Sequence, residues 1–150
     1  EHIQDKGIHP GIFVKPRGVQ KLFTGLLWNG TAPHRLHLAP YPKDTPVYYS
    51  DPVMFVSEYR SYILDGELLG VKHYKGDWSV AQSRKVVEAA VAAYRPYRAF
   101  SIDFGILESG ETIVVEVNDA FALGNYGLPS RQYARILEAR WEEMTAPLST

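Results

Sequence analysis

Cysteine is missing altogether, which excludes a disulfide framework, a thiolate metal site and a cysteine nucleophile. An excess of charge of either sign is missing too. Lysine and arginine number 16 against 17 aspartates and glutamates, a net charge of -1, so composition makes no electrostatic case for nucleic acid or an anionic membrane as partner. No apolar run reaches transmembrane length, and the opening stretch EHIQDKGIHPG carries no signal-peptide pattern. A cytoplasmic protein is therefore expected. No internal repeat and no Ser-His-Asp arrangement is evident. What remains is ordinary for a globular domain: 150 residues, 45% hydrophobic and 22% charged, enough chain to bury a core. Glu1 stands where Met would open a gene product, as expected of a segment from a longer chain.

GIFVKP at 11–16 reads as a short strand ended by Pro16, with KLFTGLLW at 21–28 as its hairpin partner. Five prolines (Pro33, Pro40, Pro42, Pro46 and Pro52) crowd the stretch from Asn29 to Pro52. Proline removes ladder donors and turns its predecessor away from helix, so this stretch reads as a connector, with PVYYS as a short extended piece and His34 and His37 as surface residues. VMFVSEYRSYILDGELLGVKHY reads as two long strands about Asp65-Gly66, a dipeptide suited to a type I′ turn. SVAQSRKVVEAAVAAYRP reads as a helix, with Val80, Val87, Val91 and Tyr94 at helical spacing and Pro96 as its stop. SRQYARILEARWEEM reads as a terminal helix capped by Ser130, with Tyr133, Ile136, Leu137 and Trp141 on its buried side. The class is α+β, a mostly antiparallel sheet with flanking helices.

Between the two helices lies FSIDFGILESGETIVVEVND, residues 100–119. With Ser109-Gly110 as its turn, the register sets Asp103 opposite Glu116. Alternation then places Ser101, Asp103, Gly105, Val114, Glu116 and Asn118 on one face and only apolar residues on the other. Two carboxylates directly across a strand pair, about 4.5–5.5 Å apart at Cβ, repel unless one is protonated or a cation lies between them. A solvated polar face is the plainer alternative. Against it, the small Ser101 and Gly105 leave open space beside three oxygen ligands, a set suited to Mg²⁺ completed by phosphates and water.

FVKP at 13–16, SEYRSYILDGELLGVKHYKGD at 57–77, SIDFGIL at 101–107 and VVEVNDAFALGNYGL at 114–128 together resemble the carboxyl-terminal part of an ATP-grasp domain. Within that superfamily they are most similar to a bacterial and phage clade named for an arginine-to-lysine replacement. The resemblance spans roughly residues 11–142. It implies an ATP-grasp-like fold with the nucleotide between a small and a larger lobe: a small-lobe remnant and connector in 1–45, and a larger lobe carrying the metal site in 46–150. It also implies ATP and Mg²⁺ as cofactors, and carboxylate–amine ligation through an acylphosphate on unidentified carboxylate and amine substrates. The alternatives are a nucleotide-binding module without turnover and a non-enzymatic interaction domain.

Carried over by residue, Asp103, Glu116 and Asn118 match the family's magnesium ligands. Lys15 matches the lysine that reaches the phosphates from the smaller lobe, and Lys21 substitutes by charge for a glycine-rich loop that is reduced here to Gly18. Tyr48 and Tyr49 fall where the hinge binds adenine through its backbone. Glu58 and Arg60 match a Glu-x-Arg motif at the start of the central hairpin. With Asp65-Gly66 as the turn, Glu58 faces His73, Arg60 faces Val71, and Glu58, Arg60 and His73 share one face, Arg60 being suited to a phosphate or carboxylate. An internal Glu58–Arg60 or Glu58–His73 ion pair is the plainer alternative. Lys72 is the candidate for the replacement lysine, yet simple alternation puts it on the face away from Arg60. Either a bulge intervenes or the cation is His73 or Lys75. Full members also carry an amino-terminal domain that contributes to the acceptor site, and nothing in these residues takes its place.

Overall fold

Val14 and Val47, flanked by residues that face outward, seed the sheet of the first of two units, Glu1–Val53. The structure is a computed structural model that describes residues 10–18 and 22–147. Strand β1 (Ile12–Pro16) pairs antiparallel with β2 (Leu26–Trp28) on one side and β3 (Val47–Ser50) on the other. Val14, Phe23, Leu38 and Val47 form the core of this unit, with Trp28 and Tyr41 packed against it. Helix α1 (Ala32–Leu38) corrects the connector reading of this stretch. Pro33 falls in the first turn, where an N–H has no intrahelical partner to lose, and burial of Leu38 anchors the helix. His34 and His37 lie on this helix. Because β3 is hydrogen-bonded to β1, residues 46–53 belong with the smaller unit, and the division falls at Val53/Met54 rather than after residue 45.

The second unit, Met54–Thr150, holds a sheet ordered β5-β4-β6-β7, antiparallel throughout: β4 (Ser57–Leu64), β5 (Glu67–Gly76), β6 (Ala99–Ile106) and β7 (Thr112–Asp119). Asp65 and Gly66 both take positive φ, 50° and 84°, as a type I′ turn demands. Helix α2 (Arg84–Ala93) packs on one face of the sheet, where Ile63, Val87, Val91, Phe100, Ile102 and Phe104 form a core. It is shorter than its pattern suggested: Ser83 caps it, so Val80 precedes it, and Tyr94 closes it half exposed.

Helix α3 (Ser130–Thr145) begins after Pro129, with Ser130 as its first helical residue rather than its cap. It packs on the other face through Ile136 and Ala139, with Tyr62, Leu64, Ala99, Leu123 and Leu128. Trp141 is half exposed, contrary to expectation. At 3.6 residues per turn it projects about 140° away from Ile136. The α3 packing gathers at the Tyr62–Leu64 end of that face, and the other end carries charged residues. No helix among the described residues is long and apolar enough to cross a membrane.

Candidate functional site

Strand pairing carries one transverse row of charges through all four strands of the larger sheet. Lys72 lies opposite Arg60, Arg60 opposite Asp103, and Asp103 opposite Glu116. The Asp103–Glu116 pair agrees with the sequence register, although the path to it differs. Ile106 pairs with Thr112, one residue out of the expected register, and a bulge that leaves Val115 unpaired restores it before Asp103.

Two further bulges shape the β4–β5 hairpin. Tyr62 pairs with Gly70 and Ile63 with Leu68, so Leu69 is extra; Glu58 pairs with Lys75 and Tyr59 with His73, so Tyr74 is extra. The first bulge brings Lys72 onto the row of Arg60, and the second sets Lys75 beside Glu58. The expected Glu58–His73 and Arg60–Val71 pairings are thereby corrected. His73 lies opposite Tyr59, ring centroids 5.0 Å apart, on the face away from Arg60, and its buried Nε2 has no partner among the described residues. A bulge reverses side-chain parity, and His73 is thus removed from the Arg60 group.

Arg60 and Asp103 are 8% and 2% exposed. The Arg60 Nε donates to Asp103 Oδ1 and its Nη2 to Oδ2, both at 2.7 Å. Glu116 Oε1 stands 3.9 Å from the same Nη2, and Asn118 Nδ2 donates to Glu116 Oε1 at 2.9 Å and to Asp103 Oδ2 at 3.4 Å. The face is therefore not simply solvated. Nor is it open at Gly105, where the Phe55 ring occupies the place a Cβ would take. Ser101, fully buried, leaves its Oγ without a partner beside this cluster. Burial pushes the Asp103 carboxyl above its ordinary range; Arg60 opposes the rise and the Glu116 charge adds to it. Burial alone would lower the Arg60 guanidinium, but the Asp103 hydrogen bonds and charge outweigh it and raise its pKa.

Glu58 is also buried, and its partners are Lys75 Nζ at 2.5 Å and the Tyr74 hydroxyl at 2.9 Å, neither being Arg60 or His73. Burial, then the charge of Asp103, then the hydrogen bond to Glu58 push the Tyr74 phenol upward. The half-buried Lys72 side chain makes no hydrogen bond or ion pair among the described residues. Tyr126, absent from the sequence expectations, stacks on Tyr74 with centroids 5.0 Å apart and lies 4.9 Å from the Arg60 guanidinium. Its one sequence signal is its place between Asn125 and Gly127, a pair that favours positive φ.

In the smaller unit Lys15 is exposed and lies opposite Tyr48, its Nζ 6.0 Å from that ring. Arg17 approaches the same ring at 5.6 Å. Tyr48 and Tyr49 are both about half exposed on β3. Lys21 lies outside the described residues.

Asp103 and Glu116 offer hard carboxylate oxygens, and Asn118, whose Nδ2 reaches both, would have to turn its amide oxygen toward them to complete a set that fits Mg²⁺ with phosphate and water. No group of three or more His, Cys, Asp or Glu suited to a metal occurs among the described residues, so the set is two carboxylates and an amide. Both Asp103 oxygens already receive the guanidinium fork, and a dication would share that carboxylate with Arg60 or take it over.

The antiparallel α+β architecture is that of an ATP-grasp domain. A family model described as an ATP-grasp domain, the second family of its clade, matches residues 1–136, and the chain belongs to that family. Among curated proteins none matches the sequence. Solved structures share the fold at low identity. D-alanine–D-alanine ligase from Bacillus anthracis, complexed with ATP, is 17% identical over 87% of this chain and 49% of its own, with a TM-score of 0.55. N5-carboxyaminoimidazole synthetase from Staphylococcus aureus, complexed with ADP, is 15% identical over 86% of this chain and 40% of its own, with a TM-score of 0.56. The corresponding synthase from Aspergillus clavatus, in complex with ADP and 5-aminoimidazole ribonucleotide, gives 14%, 85%, 40% and 0.54. The chain thus spans less than half the length of each of these enzymes.

Proposed function

We propose that this domain binds ATP with Mg²⁺ at the Lys72–Arg60–Asp103–Glu116 row and serves ATP-dependent carboxylate–amine ligation through an acylphosphate. The single observation that carries this reading is the unbroken charged row, cations at one end and oxygen donors at the other, on a chain of the ATP-grasp family. Asp103, Glu116 and Asn118 would hold the dication, which when bound neutralises charge on phosphate oxygens. Arg60 commits its Nε and Nη2 to Asp103, and its Nη1 edge remains for an anionic substrate group. Lys72 adds a mobile point charge on the same row. Glu58, two residues before Arg60 on β4, acts through Tyr74 and Lys75 as a brace beside the row. Lys15 is the phosphate-binding cation of the smaller unit, and the Tyr48–Tyr49 backbone is its adenine contact. Chemistry of this kind needs positioning and electrostatics rather than a covalent nucleophile.

Thermal unfolding with and without Mg-ATP tests the reading. At a hundredfold excess over Kd the ligand should add about 2.7 kcal/mol of stability. Glu116→Ala, at a half-exposed side chain, should leave the fold intact and weaken Mg-ATP binding at least tenfold. Absence of any Mg-ATP response in the unaltered domain ends the proposal. A second reading, nucleotide binding without turnover, rests on the glycine-rich loop that is reduced here to Gly18. Phosphate release with an amine acceptor would exclude it.

A further inference from the structure

We propose that Tyr126 is a positioning residue that sets the plane of the Arg60 guanidinium. The inference rests on the proposed role of Arg60 in meeting the anionic substrate group. Tyr126 takes φ 45°, a conformation disfavoured for a bulky L-residue, and such strain persists only where the surroundings over-determine it. Here they do. Asn125 Oδ1 accepts from Gly127 N at 2.8 Å, Asn125 Nδ2 donates to Leu128 O at 2.9 Å, and Leu128 N donates to Asn125 O at 3.0 Å. The Tyr62 hydroxyl, near the far end of β4, reaches the carbonyls of Gly124 and Asn125 at 2.5 and 2.7 Å. The Tyr133 hydroxyl donates to the Leu123 carbonyl at 2.5 Å, tying the loop to α3 as well. The loop is thus pinned to both sheet and helix, and its strain delivers one ring.

That ring has a defined task. It lies 20° from parallel to Tyr74, whose hydroxyl is anchored on buried Glu58, and it faces the Arg60 guanidinium at 4.9 Å. Asp103 fixes the direction of the guanidinium through two hydrogen bonds but leaves it free to tilt about that axis. A flat aromatic surface on one side removes the tilt, since a guanidinium prefers to lie over a ring face. Asp103 and Tyr126 together aim the unused Nη1 edge. The contact is planar rather than hydrogen-bonded, so a phenyl ring should replace it.

Two readouts on the intact domain test the assignment, with Tyr126→Gly as the ringless variant, because glycine accepts the positive φ without strain. In ¹⁵N spectra the Arg60 Nε–H should be ring-shifted and slow to exchange in the unaltered domain and in Tyr126→Phe. In Tyr126→Gly the shift should fall to what the more distant Tyr74 ring, 6.0 Å from the guanidinium, supplies, and exchange should accelerate. An unchanged Arg60 resonance in Tyr126→Gly overturns the inference and leaves the functional proposal standing. Mg-ADP affinity should fall roughly fivefold in Tyr126→Gly, recover in Tyr126→Phe, and show no further loss when Tyr126→Gly is added to Arg60→Lys. A fivefold loss that persists in the Arg60→Lys background means the ring touches the ligand itself, which also overturns the positioning role. If the unaltered domain ignores Mg-ADP, the functional proposal fails, while the resonance result is read on its own.

Discussion

Arg140 grips Asp119 much as Arg60 grips Asp103. Its Nε and Nη2 reach the two carboxylate oxygens at 2.6 and 2.8 Å, and its guanidinium lies 3.9 Å over the Tyr97 ring. The carboxylates nevertheless respond in opposite directions. Asp119 is held below its ordinary range, first by the Arg140 hydrogen bond and further by the backbone N–H groups of Phe121 and Ala120. Asp103 is raised, because it lies deeper and faces Glu116 across the strand pair. The same fork satisfies one anion and leaves the other under-compensated. The first is a brace that joins α3 to the end of β7; the second, with a rival carboxylate and an amide beside it, can still gain from a second cation.

A third fork, Arg98 on Asp65 at 2.9 and 3.2 Å, is largely exposed and gives the comparison its lower bound. The largest effect is expected at the most buried pair. Asp103→Ala should cost about 3–5 kcal/mol in urea unfolding, because it strands a desolvated guanidinium, and it should abolish the Mg-ATP response. A loss under about 1 kcal/mol would show that the pair behaves as a surface contact, and the contrast with Asp119 would collapse. Arg140→Ala should cost about 2 kcal/mol, between the surface and buried cases, with Mg-ATP affinity per folded molecule changed less than about twofold. A large change in affinity would mean that the brace belongs to the site.

The smallest effect concerns acid. Asp65 is held below its ordinary value, chiefly by the Arg98 hydrogen bond. A depressed carboxylate contributes stability that is present above the unfolded-state value, near pH 3.9, and is lost as pH falls through the folded-state value. Asp65→Asn should therefore lower neutral stability slightly and flatten the acid limb, the variant and the unaltered domain converging at the lowest pH. An identical acid limb would remove Arg98–Asp65 from the comparison.

Much of this organisation was legible before the fold. Alternation in residues 100–119 gave the Asp103–Glu116–Asn118 patch, but the bulge at Val115 sets Val114 opposite Phe104 and Ile113 opposite Gly105, exchanging the faces expected of those two residues. Asp65-Gly66 announced its own turn. Helix α1 was hidden by proline content: Pro33 is harmless in a first turn, and a residue count cannot tell that position from a helix interior. Lys72 and His73 exchanged faces because of the bulge at Leu69, which strand patterning does not reveal. Tyr126 escaped notice because its importance lies in what its ring touches.

By itself, then, the amino-acid order determined the chemistry available and its local geometry: no thiol, balanced charge, and two carboxylates brought face to face by a tight hairpin. Only the tertiary structure decided that Arg60, 43 residues before Asp103, would become its partner, and that Lys72 would extend the row. The physical reason is that a period of two assigns a side chain to a face but never to a neighbour. Neighbours across non-consecutive strands are chosen when β4 docks on β6, where burial, bulges and the pinned Tyr126 loop act together.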